Sequence, residues 1–164
     1  MPQIRGMRVN LLIPLALMAL PYQLPAQSYD GLAQVAVLSG WREDSRQHMA
    51  AIEITLAPGW VTYWRAPGDS GIPPQFAFSG SSDIASITPL WPTPEVFGEN
   101  GMRSIGYYDS VIFPLTIGAA QASGDIQISG ELTIGVCEEI CIPVTYTFDT
   151  LLPENGTRDP SIVA

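Results

Sequence analysis

The stretch IQISGELTIGVCEEICIPVTYTFDTLL, Ile126 to Leu152, decides the reading of this chain. Its first part alternates: Ile126, Ile128, Leu132, Ile134 and Val136 share one face, the period-2 pattern of a half-buried strand. Val144 to Leu152 forms a second β-type run. Between them stands Cys137-Glu138-Glu139-Ile140-Cys141. Run straight as a strand, the two cysteine Cα atoms would lie about 13 Å apart at roughly 3.3 Å per residue. A disulfide needs about 4.4–6.8 Å, so a bond between them requires the chain to turn at Glu138–Ile140. A three-residue hairpin loop sets the cysteines opposite each other. One helical turn would also bring them together, but the flanking strands favour the hairpin.

Outward from this hairpin the same vocabulary continues. Strands are expected at Leu32–Leu38, Ala51–Leu56, Val61–Trp64, Ile84–Leu90 and Val111–Ile117. Pro114 points the last of these toward an edge or a bulge. Glycine and proline, 15 of each, punctuate the runs, and no stretch of 12 residues carries a 3.6-residue period. About seven short strands with frequent turns define an all-β domain, a two-sheet sandwich or a barrel. The Trp60, Tyr63 and Trp64 cluster fits the core or rim of a sandwich. Residues 65–74, with Pro67-Gly68-Asp69 and a double proline, read as a shaped loop. Residues 153–164 read as a flexible tail.

The N-terminus carries Arg5 and Arg8, an apolar run from Val9 to Leu20 and small residues up to Ala26. This order is that of a secretory signal peptide over residues 1–26, cleaved after Ala26. The domain then occupies 27–152. The apolar run is short for a membrane span, and no other segment is long and apolar enough to cross a bilayer. The expected location is the periplasm, with the mature chain not embedded in the membrane. Residues 27–164 hold five arginines, no lysine and sixteen acidic side chains, a net charge of −11. Such a chain has no electrostatic footprint for nucleic acid.

An exported chain meets an oxidising environment, and two cysteines permit one internal disulfide. As a staple, a loop of about five residues yields roughly 2 kcal/mol in the chain-entropy description, less than half of what a long loop gives. Spacing alone leaves structural and redox roles open. A closed zinc site wants four ligands and His48 is the sole histidine, while the haem-attachment pattern is absent. A soft-metal site built from two thiolates and a methionine, copper being the candidate, is a weaker reading. No metal or other cofactor is expected. Glu138 and Glu139 disfavour a nearby thiolate, so this is not an electropositive, self-activated centre. His48, beside Arg42, Glu43, Asp44 and Arg46, reads as a surface residue.

Four segments in order carry a resemblance: YWRAPGDSGIPPQF from Tyr63 to Phe76, WPTPEVF from Trp91 to Phe97, SIGY from Ser104 to Tyr107, and VCEEICIP from Val136 to Pro143. Together they resemble the N-terminal periplasmic domain of DsbD-type thiol:disulfide interchange proteins, over roughly residues 35–150. The resemblance implies an immunoglobulin-like β-sandwich with a redox-active pair on a hairpin. It implies electrons received through a membrane donor and passed to periplasmic thioredoxin-like oxidoreductases. By position, Cys137 and Cys141 correspond to the exchanging pair, Phe97 to a capping aromatic that shields it, and Tyr63 to an aromatic beside it. The chain departs from the best-known form in its shorter C-x3-C spacing. It also stops where a membrane domain would begin, so the electron donor is expected to be a separate protein. The rival reading is an immunoglobulin-like binding or accessory module with a structural disulfide, linked to metal tolerance.

Overall fold

Alternation along the strands sorts the side chains into layers. The computed structural model describes residues 31–98 and 101–163, so the expected signal peptide lies outside the described residues. The strands are β1 (Ala33–Arg42), β2 (Gln47–Leu56), β3 (Val61–Gly68), β4 (Gln75–Ala77), β5 (Ile84–Pro89), β6 (Glu95–Phe97), β7 (Ser104–Tyr108), β8 (Ser110–Ala119), β9 (Ile126–Cys137) and β10 (Cys141–Leu152). They pair antiparallel into a four-stranded sheet ordered β1-β2-β8-β5 and a six-stranded sheet ordered β10-β9-β3-β7-β6, with β4 on β9. The two sheets form an immunoglobulin-like sandwich. Among the described residues no helix is long and apolar enough to cross a membrane.

The core lies between the sheets. From one side β2 contributes Ala50, Ile52 and Ile54, and β8 contributes Val111, Phe113, Leu115 and Ile117; from the other β9 contributes Ile126, Ile128, Leu132, Ile134 and Val136. On β9 these are the even-numbered residues, which fixes the odd-numbered Cys137 on the opposite, outer face. Thr62, buried on β3, donates to the Gly135 carbonyl at 2.9 Å and ties the neighbouring strands together.

Three expectations need correction. Pro114 is neither on an edge nor at a bulge: β8 runs between β2 and β5. A strand residue directs its N–H and C=O to the same neighbour. The Pro114 carbonyl accepts the Leu90 N–H at 2.7 Å, one residue past the end of β5. The missing N–H therefore faces the finished end of β5, and the ladder to β2 is intact. The segment after β10 also differs from a fraying tail. It ends in a 3-10 turn, Pro160–Val163, whose Ile162 is fully buried with Trp41 and Ala51. Arg158 lies 5.0 Å above the Trp41 ring.

His48 is not at the surface; it is fully buried. β2 starts at Gln47, and counting back by twos from Ile54 through Ile52 and Ala50 brings His48 to the inner face. Its Nε2–H donates to the Ser39 carbonyl at 2.7 Å, which leaves Nδ1 without a partner. Burial holds the imidazole below its ordinary pKa; the Ser39 bond opposes this and the Arg42 charge adds to it. A base whose folded pKa is lowered is neutral in both states above the unfolded value of about 6.5. Below that value the unfolded chain takes up the proton first, so stability falls with pH until the lowered folded pKa is passed. We therefore expect the stability advantage of the wild type over His48→Gln to shrink as pH falls from neutral into the acid range, read by urea unfolding. A difference that stays constant across that range contradicts this.

Candidate functional site

β9 and β10 run in continuous register from Ile126↔Leu152 to Cys137↔Cys141, so the two cysteines face each other where the hairpin closes. The turn is Glu138-Glu139-Ile140, the three-residue loop expected from the spacing, with the Glu138 N–H directed to the Ile140 carbonyl at 3.3 Å. The cysteine Cα atoms are 4.2 Å apart and the sulfurs are bonded. The two halves are unequally accessible: Cys137 is 3% exposed, whereas Cys141 is exposed.

The outer face of the six-stranded sheet around this bond is a groove of about 720 Å³. Val61, paired with Cys137 across β3 and β9, and Tyr63, two residues on, form part of its lining. The Tyr63 hydroxyl lies 3.4 Å from Cys141 Sγ. Burial pushes the Tyr63 phenol above its ordinary pKa, so it keeps its proton and can donate to sulfur. The ring is pinned by the loop that follows β3. Gly71 has φ +114°, and a Cβ there would stand 2.3 Å from the ring atom Cε1, so only glycine lets the loop lie against Tyr63. Asp69 clips this loop to β7 by accepting the Arg103 N–H at 2.8 Å, and Ser70 meets Ser104 at 2.8 Å.

Phe97 also lines the groove. Its ring centroid is 6.1 Å from that of Tyr63 and 5.0 Å from that of Tyr108. It arrives on β6, a three-residue edge strand whose approach is fixed by Tyr107. The Tyr107 hydroxyl donates to the Pro92 carbonyl at 3.0 Å, and burial raises its pKa to about 12, which keeps it a donor. All four residues singled out from the sequence, Cys137, Cys141, Tyr63 and Phe97, thus meet in one groove. Sequence reasoning missed Met102 and Tyr108, which line it as well. Met102 lies in a connection with no pattern to read, and Tyr108 ends β7, a strand interrupted by Gly106. No cluster of three or more metal-ligating acidic, histidine or cysteine side chains occurs among the described residues.

The molecule is, in class, a β-sandwich that presents a solvent-reachable disulfide on a hairpin, in a groove that Tyr63, Phe97 and Tyr108 also line. The family model for the N-terminal domain of the thiol:disulfide interchange protein DsbD matches residues 33–153, and the chain belongs to that family. Among solved structures, the N-terminal periplasmic domain of ScsB from Proteus mirabilis is 28% identical with a TM-score of 0.61. That match covers 79% of this chain and 49% of the other, so the chain spans about half the length of this relative. The N-terminal domain of Neisseria meningitidis DsbD, in its reduced form, is 19% identical with a TM-score of 0.38, over 74% of this chain and 86% of that one. No curated protein sequence matches the chain.

Proposed function

We propose that this domain exchanges thiols and disulfides in the periplasm, receiving reducing equivalents from a membrane electron donor and passing them to thioredoxin-like oxidoreductases. Cys141 is the sulfur that meets the partner. In the oxidised domain a partner thiolate attacks Cys141 Sγ; the new S–S bond forms as the Cys137–Cys141 bond breaks. The electron pair goes to the Cys137 sulfur, which takes up a proton. A second partner thiolate then attacks the partner's own sulfur in the mixed disulfide and releases Cys141 as thiolate. The partner leaves oxidised by two electrons, and the domain leaves as the dithiol. In the opposite direction the Cys141 thiolate attacks a partner disulfide, and Cys137 resolves the mixed species.

One observation carries this reading: the bond lies in an open groove with Cys141 exposed, and that groove also holds the edge-strand aromatic Phe97 and a hydroxyl donor, Tyr63, beside Cys141. A staple has no use for such access, and a five-residue loop yields only about 2 kcal/mol. Glu138 and Glu139 disfavour the thiolate, while the Tyr63 O–H favours it at Cys141 alone. Phe97 acts as the lid over the pair. The test is equilibration with a glutathione couple. A working pair reaches a measurable dithiol fraction. A bond that stays oxidised in excess reduced glutathione belongs to the rival reading, a structural disulfide in a binding module.

A further inference from the structure

The groove carries information about its partner beyond the sulfur chemistry. Its charged lining among the described residues is Glu138 and Glu139, with neither arginine nor lysine. Both glutamates are exposed and sit between the two bonded cysteines, so the bond itself fixes their place beside the reacting sulfur. Around them stand large apolar side chains open to solvent: Ile140 at the hairpin tip, 67% exposed, Met102 at 58% and Tyr108 at 41%. Exposed apolar groups gathered beside a reactive bond mark a surface that another molecule covers.

We infer that this groove selects a protein thiol set in an apolar face flanked by lysine or arginine, and that Glu138 and Glu139 make the selection. The inference rests on the exchange reading above. The attacking species is a thiolate, already negative, and it must reach bonding distance of Cys141 Sγ. There it enters a groove lined by two carboxylates, which repel it. A partner that brings compensating cations on either side of its cysteine removes that repulsion; a partner with acidic flanks doubles it. Electrostatic matching of this kind acts on encounter rate and on the rejection of wrong partners more than on raw affinity. The apolar rim contributes contact area that is indifferent to charge.

Two peptides test this, Ac-Lys-Leu-Cys-Leu-Lys-amide and Ac-Glu-Leu-Cys-Leu-Glu-amide. Their rates of reducing the Cys137–Cys141 bond are each divided by the rate on a neutral small-molecule disulfide, which cancels intrinsic thiol reactivity. At low salt the lysine peptide should be faster by about tenfold after this correction. The advantage should shrink toward unity at about 1 M salt, where the screening length is roughly 3 Å. It should shrink likewise in the Glu138→Gln/Glu139→Gln double variant, whose exposed positions leave the fold intact. Equal corrected rates in the wild type would overturn the charge selection while leaving exchange standing, as would an advantage undiminished in the double variant. If neither peptide reduces the bond, the exchange reading fails first and the selection with it.

Discussion

A Cys137→Ser variant is expected to accumulate a stable mixed disulfide with a thioredoxin-like partner that keeps only its first active-site cysteine, and a Cys141→Ser variant to accumulate none. The difference follows from access. Cys141 is exposed and has the Tyr63 hydroxyl 3.4 Å from its sulfur, whereas Cys137 is 3% exposed. With Cys137 removed, the Cys141 thiolate still attacks the activated sulfur of such a partner, and neither protein then holds a second sulfur that would resolve the product. With Cys141 removed, the remaining thiol lies under the hairpin and its neighbours. Non-reducing gels after incubation with a thioredoxin-like protein whose second cysteine is replaced by serine and whose first is activated as a mixed disulfide with a small aromatic thiol read the outcome, and circular dichroism checks that both variants keep the sandwich. Capture by Cys141→Ser at the same level as by Cys137→Ser would contradict the assignment.

The largest stability effect is expected at Phe113. It is fully buried at the centre of β8 and meets three other aromatic rings edge-on, Trp91 at 5.2 Å, Phe76 at 5.5 Å and Tyr107 at 5.5 Å. Two of these neighbours belong to segments without regular alternation: Trp91 begins the approach to β6, and Phe76 is the middle of β4. Phe113 therefore links the four-stranded sheet to β4, to Tyr107 and to the approach of β6, the strand that carries Phe97. Phe113→Ala should cost about 3–5 kcal/mol, the transfer term plus the cavity left behind. That is a large share of the roughly 5–15 kcal/mol that holds an ordinary domain together. Urea unfolding reads it, and Phe113→Leu should lose much less. A loss below about 1 kcal/mol for Phe113→Ala, where one or two core methylenes would already account for that much, would show that the ring cluster is not central.

Much of the architecture was legible because parity is written directly in the sequence. The even-numbered apolar residues of β9 define the core face, and Cys137, being odd, had to face outward. The C-x3-C spacing demanded a turn, and the β-type flanks made it a hairpin. Other parts were hidden for physical reasons. β4 and β6 are three residues long and exist because β9 and β7 offer them hydrogen bonds, not because of their own propensity. Gly106 interrupts β7, where a Cβ would strike the Thr62 carbonyl oxygen at 2.0 Å. His48 was read by its charged neighbours, when the phase of Ile52 and Ile54 on the same strand already placed it inside. Ile162 stands in a polar stretch with no periodicity, so its return to Trp41 is a tertiary fact. The approach of Phe97 to the cysteines spans 40 residues of chain; the family resemblance supplied it, and no local pattern could have.

The central claim, that the Cys137–Cys141 bond is a working redox couple, has a direct measure in its reduction potential. The oxidised domain is equilibrated against defined glutathione ratios, the free thiols are alkylated and the dithiol fraction is counted. Structural disulfides of exported proteins lie below about −300 mV, beyond the reach of the glutathione pool. On the proposed reading, which rests on the open groove and the exposed Cys141, the pair lies above that limit. A value below it would make the bond a staple and the groove a surface for some other purpose.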